Sequence, residues 1–336
     1  MIEYRNRNAK WIKHPLIVLC TAIVIGLAGC GKDSSNNPTG PDPDPDPDPT
    51  DPDTTATNTT LIQSIEEHED LSVLYQAIID AGLENSLDAE GSFTILAPVN
   101  SAFDSLPEGY TIDKLSQEQL KALVGYHIIP SGMSSEELGG QPSIQTLQGD
   151  SIFVRTSGAS VEINRGELHG GSSITEAGIK ATNGTLHKIN EVLLPDSFLD
   201  VLAIADKRYN LTKFVCSCTT GEAGLQDFLE DPEVSLTVFV PTDAAFGEVN
   251  VDALPGDQLK AVLEYHIVEQ AMLSGDLSDG QTITTRNGTD LTINVGGDGT
   301  LTLNGGAATI LEADLEGING VVYIIDSVLT PPAPGS

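Results

Sequence analysis

Two stretches of this chain say nearly the same thing. Phe93-Thr94-Ile95-Leu96-Ala97-Pro98-Val99-Asn100-Ser101-Ala102-Phe103 is echoed 143 residues later by Leu236-Thr237-Val238-Phe239-Val240-Pro241-Thr242-Asp243-Ala244-Ala245-Phe246. Leu120-Lys121-Ala122-Leu123-Val124-Gly125-Tyr126-His127-Ile128 returns as Leu259-Lys260-Ala261-Val262-Leu263-Glu264-Tyr265-His266-Ile267. Asn183-Gly184 through Leu194-Pro195 returns as Asn319-Gly320 through Thr330-Pro331. Three blocks in one order require two copies of one domain. A period of about 140 residues is far too long for a solenoid repeat and suits two globular domains, each large enough to bury a core without disulfides.

The local patterns place helices early in each copy and strands late. Leu71, Leu74, Tyr75, Ile78 and Ile79 follow the spacing of a half-buried helix. Ser116-Gln117-Glu118-Gln119 matches a capping box opening the helix that runs to Tyr126. Thr94–Ala97 and Thr237–Val240 are short apolar runs stopped by proline, the signature of buried strands. Beyond each Tyr-His pair come short alternating segments such as Ser151–Arg155 and Leu301–Leu303, separated by glycine-rich turns. Gly296-Gly297-Asp298-Gly299 reads as one such hairpin turn rather than as a lone unit of a calcium-binding repeat. Helices followed by strands predict an α+β fold.

The blocks FTILAPVNSAF and LTVFVPTDAAF, the pairs Tyr126-His127 and Tyr265-His266, and the closing NGTLHKINEVLLP and NGVVYIIDSVLTP resemble the fasciclin (FAS1) domain. That family carries a FAPTNxAF-like block, a Tyr-His pair and an NGxxHxIDxVLxP block. The resemblance implies two tandem domains, 58–195 and 196–336. Each would be a β-sandwich or wedge with helices packed at its N-terminal part. It also implies an adhesion module, since the Tyr-His region of the family has been associated with integrin contact. The second copy departs at Tyr323, where the first has His187, which weakens any functional claim for that histidine.

The front end reads as an address. Arg5, Arg7, Lys10 and Lys13 precede an apolar run from Leu16 to Ala28 that is short for a membrane span. The run ends Leu27-Ala28-Gly29-Cys30, which resembles a bacterial lipobox: residues 1–29 are the expected leader and Cys30 the acylated residue. Lys32-Asp33 resembles a surface-export tag of Bacteroidetes lipoproteins. Residues 30–57 are a polar Asp/Pro-rich linker with no group to offset ordering entropy. Its run Pro41–Pro49 reaches about 28 Å in an extended polyproline-like form. Flexible carboxylates there would make a poor calcium cage, so the run reads as a spacer.

The formal charge is −33, and loss of a leader carrying four cations and one acid leaves about −36. Such a chain repels nucleic acid and anionic lipid. Its acidity makes it soluble and admits calcium-assisted contacts. Aligning the copies sets Cys218 on a core position and Cys216 over exposed Gln76, and that spacing disfavours a disulfide between them. The cysteines and histidines supply no four-ligand zinc set. His127 and His266 are the tempting candidates, as proton carriers or ligands in one reading and as buried imidazoles bonded to backbone in the other. The second reading is favoured, because doubled catalysis would need doubled nucleophiles or carboxylates, and no G-x-S-x-G, H-E-x-x-H or phosphate loop is present. Arg165-Gly166-Glu167 resembles an adhesion tripeptide but ends in Glu.

The expectation is a non-catalytic lipoprotein of the bacterial envelope, anchored at the outer membrane through Cys30. It would present two domains to a protein or glycan partner, with Tyr126, His127, Tyr265 and His266 as interaction or structural residues and no metal or cofactor. The competing classes are a structural envelope component and an envelope enzyme or small-molecule carrier. A cleft with convergent polar groups and a matched base would mark the last.

Overall fold

The computed structural model describes residues 59–332 apart from 89–90, 108, 166–170, 220–222 and 248–253. The leader, Cys30, the Pro–Asp run, Gly166-Glu167 and His169 lie outside the described residues. The described residues belong to one compact unit, 58–336.

In the first copy α1 (Leu61–Glu67), α2 (Ser72–Asp80) and α3 (Glu84–Leu87) precede β1 (Phe93–Pro98). Then come α4 (Gln117–Tyr126), β2 (Ile128–Ile129), α5 (Ser135–Gly139) and the strands β3 (Ser143–Gln145), β4 (Ser151–Ser157), β5 (Ser160–Ile163), β6 (Ser172–Ala181) and β7 (Gly184–Ile189). The second copy repeats this with α6 (Val201–Asp206), α7 (Thr212–Thr219), α8 (Gln226–Leu229), β8 (Leu236–Pro241), α9 (Gly256–Tyr265), β9 (Ile267–Val268), β10 (Thr282–Thr284), β11 (Asp290–Val295), β12 (Leu301–Leu303), β13 (Ala308–Gly317) and β14 (Gly320–Ile325). Each copy owns one sheet, ordered β2-β1-β7-β6-β5-β4-β3 and, equivalently, β9-β8-β14-β13-β12-β11-β10. The predicted capping box is present: Gln119 N–H donates to Ser116 Oγ at 3.2 Å, and Ser116 N–H donates to Gln119 Oε1 at 3.0 Å. The matching helix α9 starts after Pro255 without a side-chain cap.

The repeated blocks are the parts that touch. The first block is β1, the closing block is β7, and they pair in parallel from Phe93↔Gly184 to Pro98↔Ile189. Strands β8 and β14 do the same from Leu236↔Gly320 to Pro241↔Ile325. The central strands are buried on both faces. Ile95, Ala97 and Leu186 face α1, α2 and α4, while Leu96 and Ile189 face a second cluster containing Ile152, Val154 and Ile163. Strand β4 therefore comes round to face β1, and the sheet bends into the expected wedge around its own inner core.

Close approach explains the glycine of each Asn-Gly pair. A Cβ on Gly184 would lie 2.2 Å from the Phe93 carbonyl oxygen, and one on Gly320 would lie 2.1 Å from that of Leu236. Asn183 ties the helices to this strand start: Leu61 N–H donates to its Oδ1 at 2.9 Å, and its Nδ2 donates to the Leu87 carbonyl at 2.6 Å. Asn319 repeats the arrangement with Val201 and Leu229.

Helix α2 buries Leu74 and Ile78 and leaves Tyr75 and Ile79 half-exposed, while Leu71 is buried in the turn before it. Cys218 takes the predicted core position as a free, fully buried thiol, and burial pushes its pKa up. Gly296–Thr300 is the expected hairpin turn: Asp298 caps it by accepting from Thr300 N–H at 3.0 Å. Among the described residues no helix is long and apolar enough to cross a membrane.

Candidate functional site

His127 stands where all three repeated blocks meet. It ends α4, and its carbonyl accepts from Leu96 N–H of β1 at 2.9 Å. Its ring Nδ1–H donates to the Leu123 carbonyl one turn back at 2.8 Å. Its Nε2 accepts from Leu193 N–H, in the closing block, at 2.9 Å. Those bonds fix a neutral tautomer and use both nitrogens. His266 makes the same set, with Phe239 N–H at 2.9 Å, the Val262 carbonyl at 2.7 Å and Leu329 N–H at 3.0 Å. Both imidazoles are buried. Burial holds each pKa at about 4, well below the ordinary 6.5, because a proton on Nε2 would be desolvated and would confront an N–H.

The tyrosines beside them belong to the inner core cluster of each copy. Tyr126 Oη donates to the Ser151 carbonyl at 3.0 Å and accepts from Asn164 Nδ2 at 3.3 Å. Tyr265 repeats this with the Asp290 carbonyl at 3.1 Å and Asn304 at 2.9 Å. The asparagines occupy left-handed backbone, at φ 54° for Asn164 and 51° for Asn304. Each side-chain oxygen also accepts a strand N–H, from Phe153 and Thr292 respectively. Sequence reasoning did not single out these asparagines. Their signal was present: Asn tolerates positive φ better than other non-glycine residues, and both lie at the end of a short alternating run.

The swap of His187 for Tyr323 has a simple geometry. His187 Nε2–H donates to the Met133 carbonyl at 3.0 Å, and Tyr323 Oη donates to the equivalent Met272 carbonyl at 2.9 Å. A bulge in the neighbouring strand supplies the second partner in each copy. Gly178 N–H donates to His187 Nδ1 at 3.2 Å, and Asp314 Oδ1 lies 3.2 Å from Tyr323 Oη. One buried carbonyl is satisfied by two different side chains.

The predicted residues thus form two separate, equivalent modules whose polar atoms are spent on the fold. Shallow clefts on the described surface lie apart from these modules. One, of about 250 Å³, is polar and lined by Ser134, Glu137, Lys180 and Thr182. Another, of about 360 Å³, lies along α4 beside exposed Leu147 and does not contain the Tyr-His pair. Among the described residues no group of three or more His, Cys, Asp or Glu side chains is placed to hold a metal.

Comparison with known proteins agrees with this internal repeat. The chain is similar to human periostin (29% identity over 281 residues, 82% of this chain and 32% of periostin). It is also similar to pig transforming growth factor-beta-induced protein ig-h3 (32% over 285 residues, 82% and 39%). It thus spans about a third to two-fifths of the length of these relatives. The cell surface glycolipoprotein MPB83 of Mycobacterium bovis matches at 29% over 169 residues, covering 50% of this chain and 70% of MPB83. A solved FAS1 domain pair from the insect cell adhesion molecule fasciclin I superposes with a TM-score of 0.58 at 20% identity, covering 78% of this chain and 97% of that one. The fasciclin domain model matches residues 69–195 and again 210–331, so the chain belongs to the fasciclin domain family and carries two of its domains in tandem.

Proposed function

We propose that the chain is a non-catalytic adhesion lipoprotein of the bacterial cell envelope, binding a protein or glycan partner through exposed faces of its tandem FAS1 domains. The observation that carries this reading is the saturation of both Tyr-His modules. Each ring nitrogen is committed to backbone, and each hydroxyl to a backbone carbonyl and a structural asparagine, with Lys207 Nζ also on Tyr126 Oη. General acid–base work needs a group with a spare proton or lone pair within reach of a substrate, and these have neither. Tyr126, His127, Tyr265 and His266 are therefore assigned to the fold. Adhesion at surfaces is also supported by the names of the relatives, which include a cell surface glycolipoprotein.

In this reading residues 1–29 are removed, Cys30 carries the lipid, and the Asp/Pro-rich stretch to residue 57 holds the domains away from an outer membrane. A spacer serves a partner at a distance and adds nothing for a small diffusible substrate. The test is attachment of beads coated with the 58–336 fragment to cells and to matrix protein and glycan arrays, with and without calcium. Saturable attachment above that of an equally anionic control protein supports the reading. Attachment no better than the control refutes it.

A further inference from the structure

The two copies are alike in fold but not in how they use one face, and the difference lies at the end of the first helix of each. In the first copy this stretch, the last residue of α1 and the two that follow, is Glu67-His68-Glu69, with both glutamates exposed. The aligned residues of the second copy are Lys207-Arg208-Tyr209, in a chain with 16 Lys and Arg against 49 Asp and Glu. Lys207 and Arg208 are nevertheless 4% exposed. Lys207 is buried against Tyr126 of the first copy, and Arg208 lies between Phe153 of the first copy and Glu312 of its own, to which it donates at 2.7 Å.

Lys207 Nζ donates to Tyr126 Oη at 3.2 Å and pairs with Asp196, whose Oδ1 is buried and has no hydrogen bond beyond that ion pair among the described residues. The Lys207 carbonyl accepts from Arg165 N–H at 2.9 Å, and Arg165 returns an ion pair to Asp206 at 2.6 Å. Arg208 lies 4.5 Å from the centre of the Phe153 ring. Tyr209 donates to the Asn164 carbonyl at 3.2 Å and is covered by Arg155 at 4.7 Å. The covalent junction is packed as well: Phe198 sits among Ala102, Leu123 and Val192 of the first copy.

We propose that Lys207-Arg208-Tyr209 is a built-in plug, by which the second domain seals the tyrosine–asparagine face of the first and locks the tandem into one rigid body with that face open on the second domain alone. The equivalent face of the second domain has lost the parts that would receive a plug. Asp196, at the junction just after the first domain, aligns with Pro332, Arg165 aligns with Gly305, and Asn304 is half-exposed where Asn164 is buried. With Glu67 and Glu69 in place of the plug's cation and aromatic ring, the first domain offers no plug either. Among the described residues both halves of the contact occur once, so it closes within the tandem. A partner that recognises the shared fold from this side meets one face per chain, not two.

The test is hydrogen–deuterium exchange with calorimetry on the full chain. The wild type is expected to unfold the two domains in one calorimetric transition and to protect 151–165 better than the equivalent 290–305. Lys207→Met is expected to raise exchange across 151–165 at least tenfold, leave 290–305 unchanged and split the transition in two. The charge swap Asp196→Lys with Lys207→Asp is expected to restore part of the protection. Unchanged exchange at 151–165 together with a single transition in Lys207→Met overturns the proposal. Should Lys207→Met also expose β1, β7, β8 and β14, Tyr209→Ala is read by the same criterion, since its half-buried ring can be removed without leaving a buried charge unpaired.

Discussion

Replacing His127 with glutamine should change how the protein responds to acid more than how it responds to denaturant at neutral pH. At pH 7.5 both side chains are neutral, and the variant should lose about 1–3 kcal/mol through misplaced partners for the Leu123 carbonyl and the Leu193 N–H. On acidification the folded imidazole, with a pKa held at about 4 by burial, resists a proton that the unfolded chain accepts near 6.5. The unfolded state then binds more protons, so stability falls as pH falls. The contribution is whole above about pH 6.5 and is lost as pH drops toward 4. Linkage with those two values gives a loss of about 2.5 kcal/mol at pH 4.5 for one histidine. His266 adds a similar amount, so the wild type loses about 5 kcal/mol, comparable to the whole stability of many domains. Carboxylate titrations are common to both proteins and cancel in the difference. Urea unfolding at pH 7.5, 6.5, 5.5 and 4.5, followed by circular dichroism, should therefore show the gap between wild type and His127→Gln shrinking by about 2.5 kcal/mol across the series. A gap that stays constant over this range would refute the depressed pKa and, with it, the reading of the ring as a buried neutral clip.

Gly184→Ala and Gly320→Ala should each push the parallel central strands apart, because the added methyl meets a carbonyl oxygen in both copies; a loss of about 2–3 kcal/mol, seen as a melting temperature lower by roughly 5–10 °C, is expected. Tyr323→Phe should cost about 1–2 kcal/mol in chemical denaturation, since it removes the donor to the Met272 carbonyl without changing the packing of the ring. Cys30→Ser should leave the precursor unprocessed or release the protein from the membrane fraction on cell fractionation; normal processing with retained membrane association would place the anchor elsewhere.

The repeat, the α+β class, the capped helix ending at Tyr126 and the stops at Pro98 and Pro241 were legible because they rest on local rules: periodicity, capping chemistry and proline geometry. The Tyr-His pairs were legible as special positions, but their role was open in sequence. An imidazole at a helix end reads the same whether it faces solvent, a ligand or a backbone amide 66 residues away. The asparagines at 164 and 304 were missed because their partners, Tyr126 and Tyr265, are 38 and 39 residues distant and on another element. The exchange of His187 for Tyr323 looked like a departure from the family's block. It became a conserved hydrogen bond only when the Met133 and Met272 carbonyls were seen to occupy one place in the two sheets.

By itself, then, the sequence determined that there are two copies and which segments form their cores, and its net charge of −33 weighs against nucleic-acid and anionic-lipid partners. These follow from short-range pattern and composition, which survive without coordinates. The tertiary structure alone decided that the histidines join three distant blocks, and that Lys207, an unremarkable lysine in an acidic chain, is buried against Tyr126 of the other domain and Asp196 at the junction. The physical reason is the same in each case. A hydrogen bond or ion pair depends on separation in space, over a few ångströms, and a chain that folds back on itself makes that separation independent of distance along the sequence.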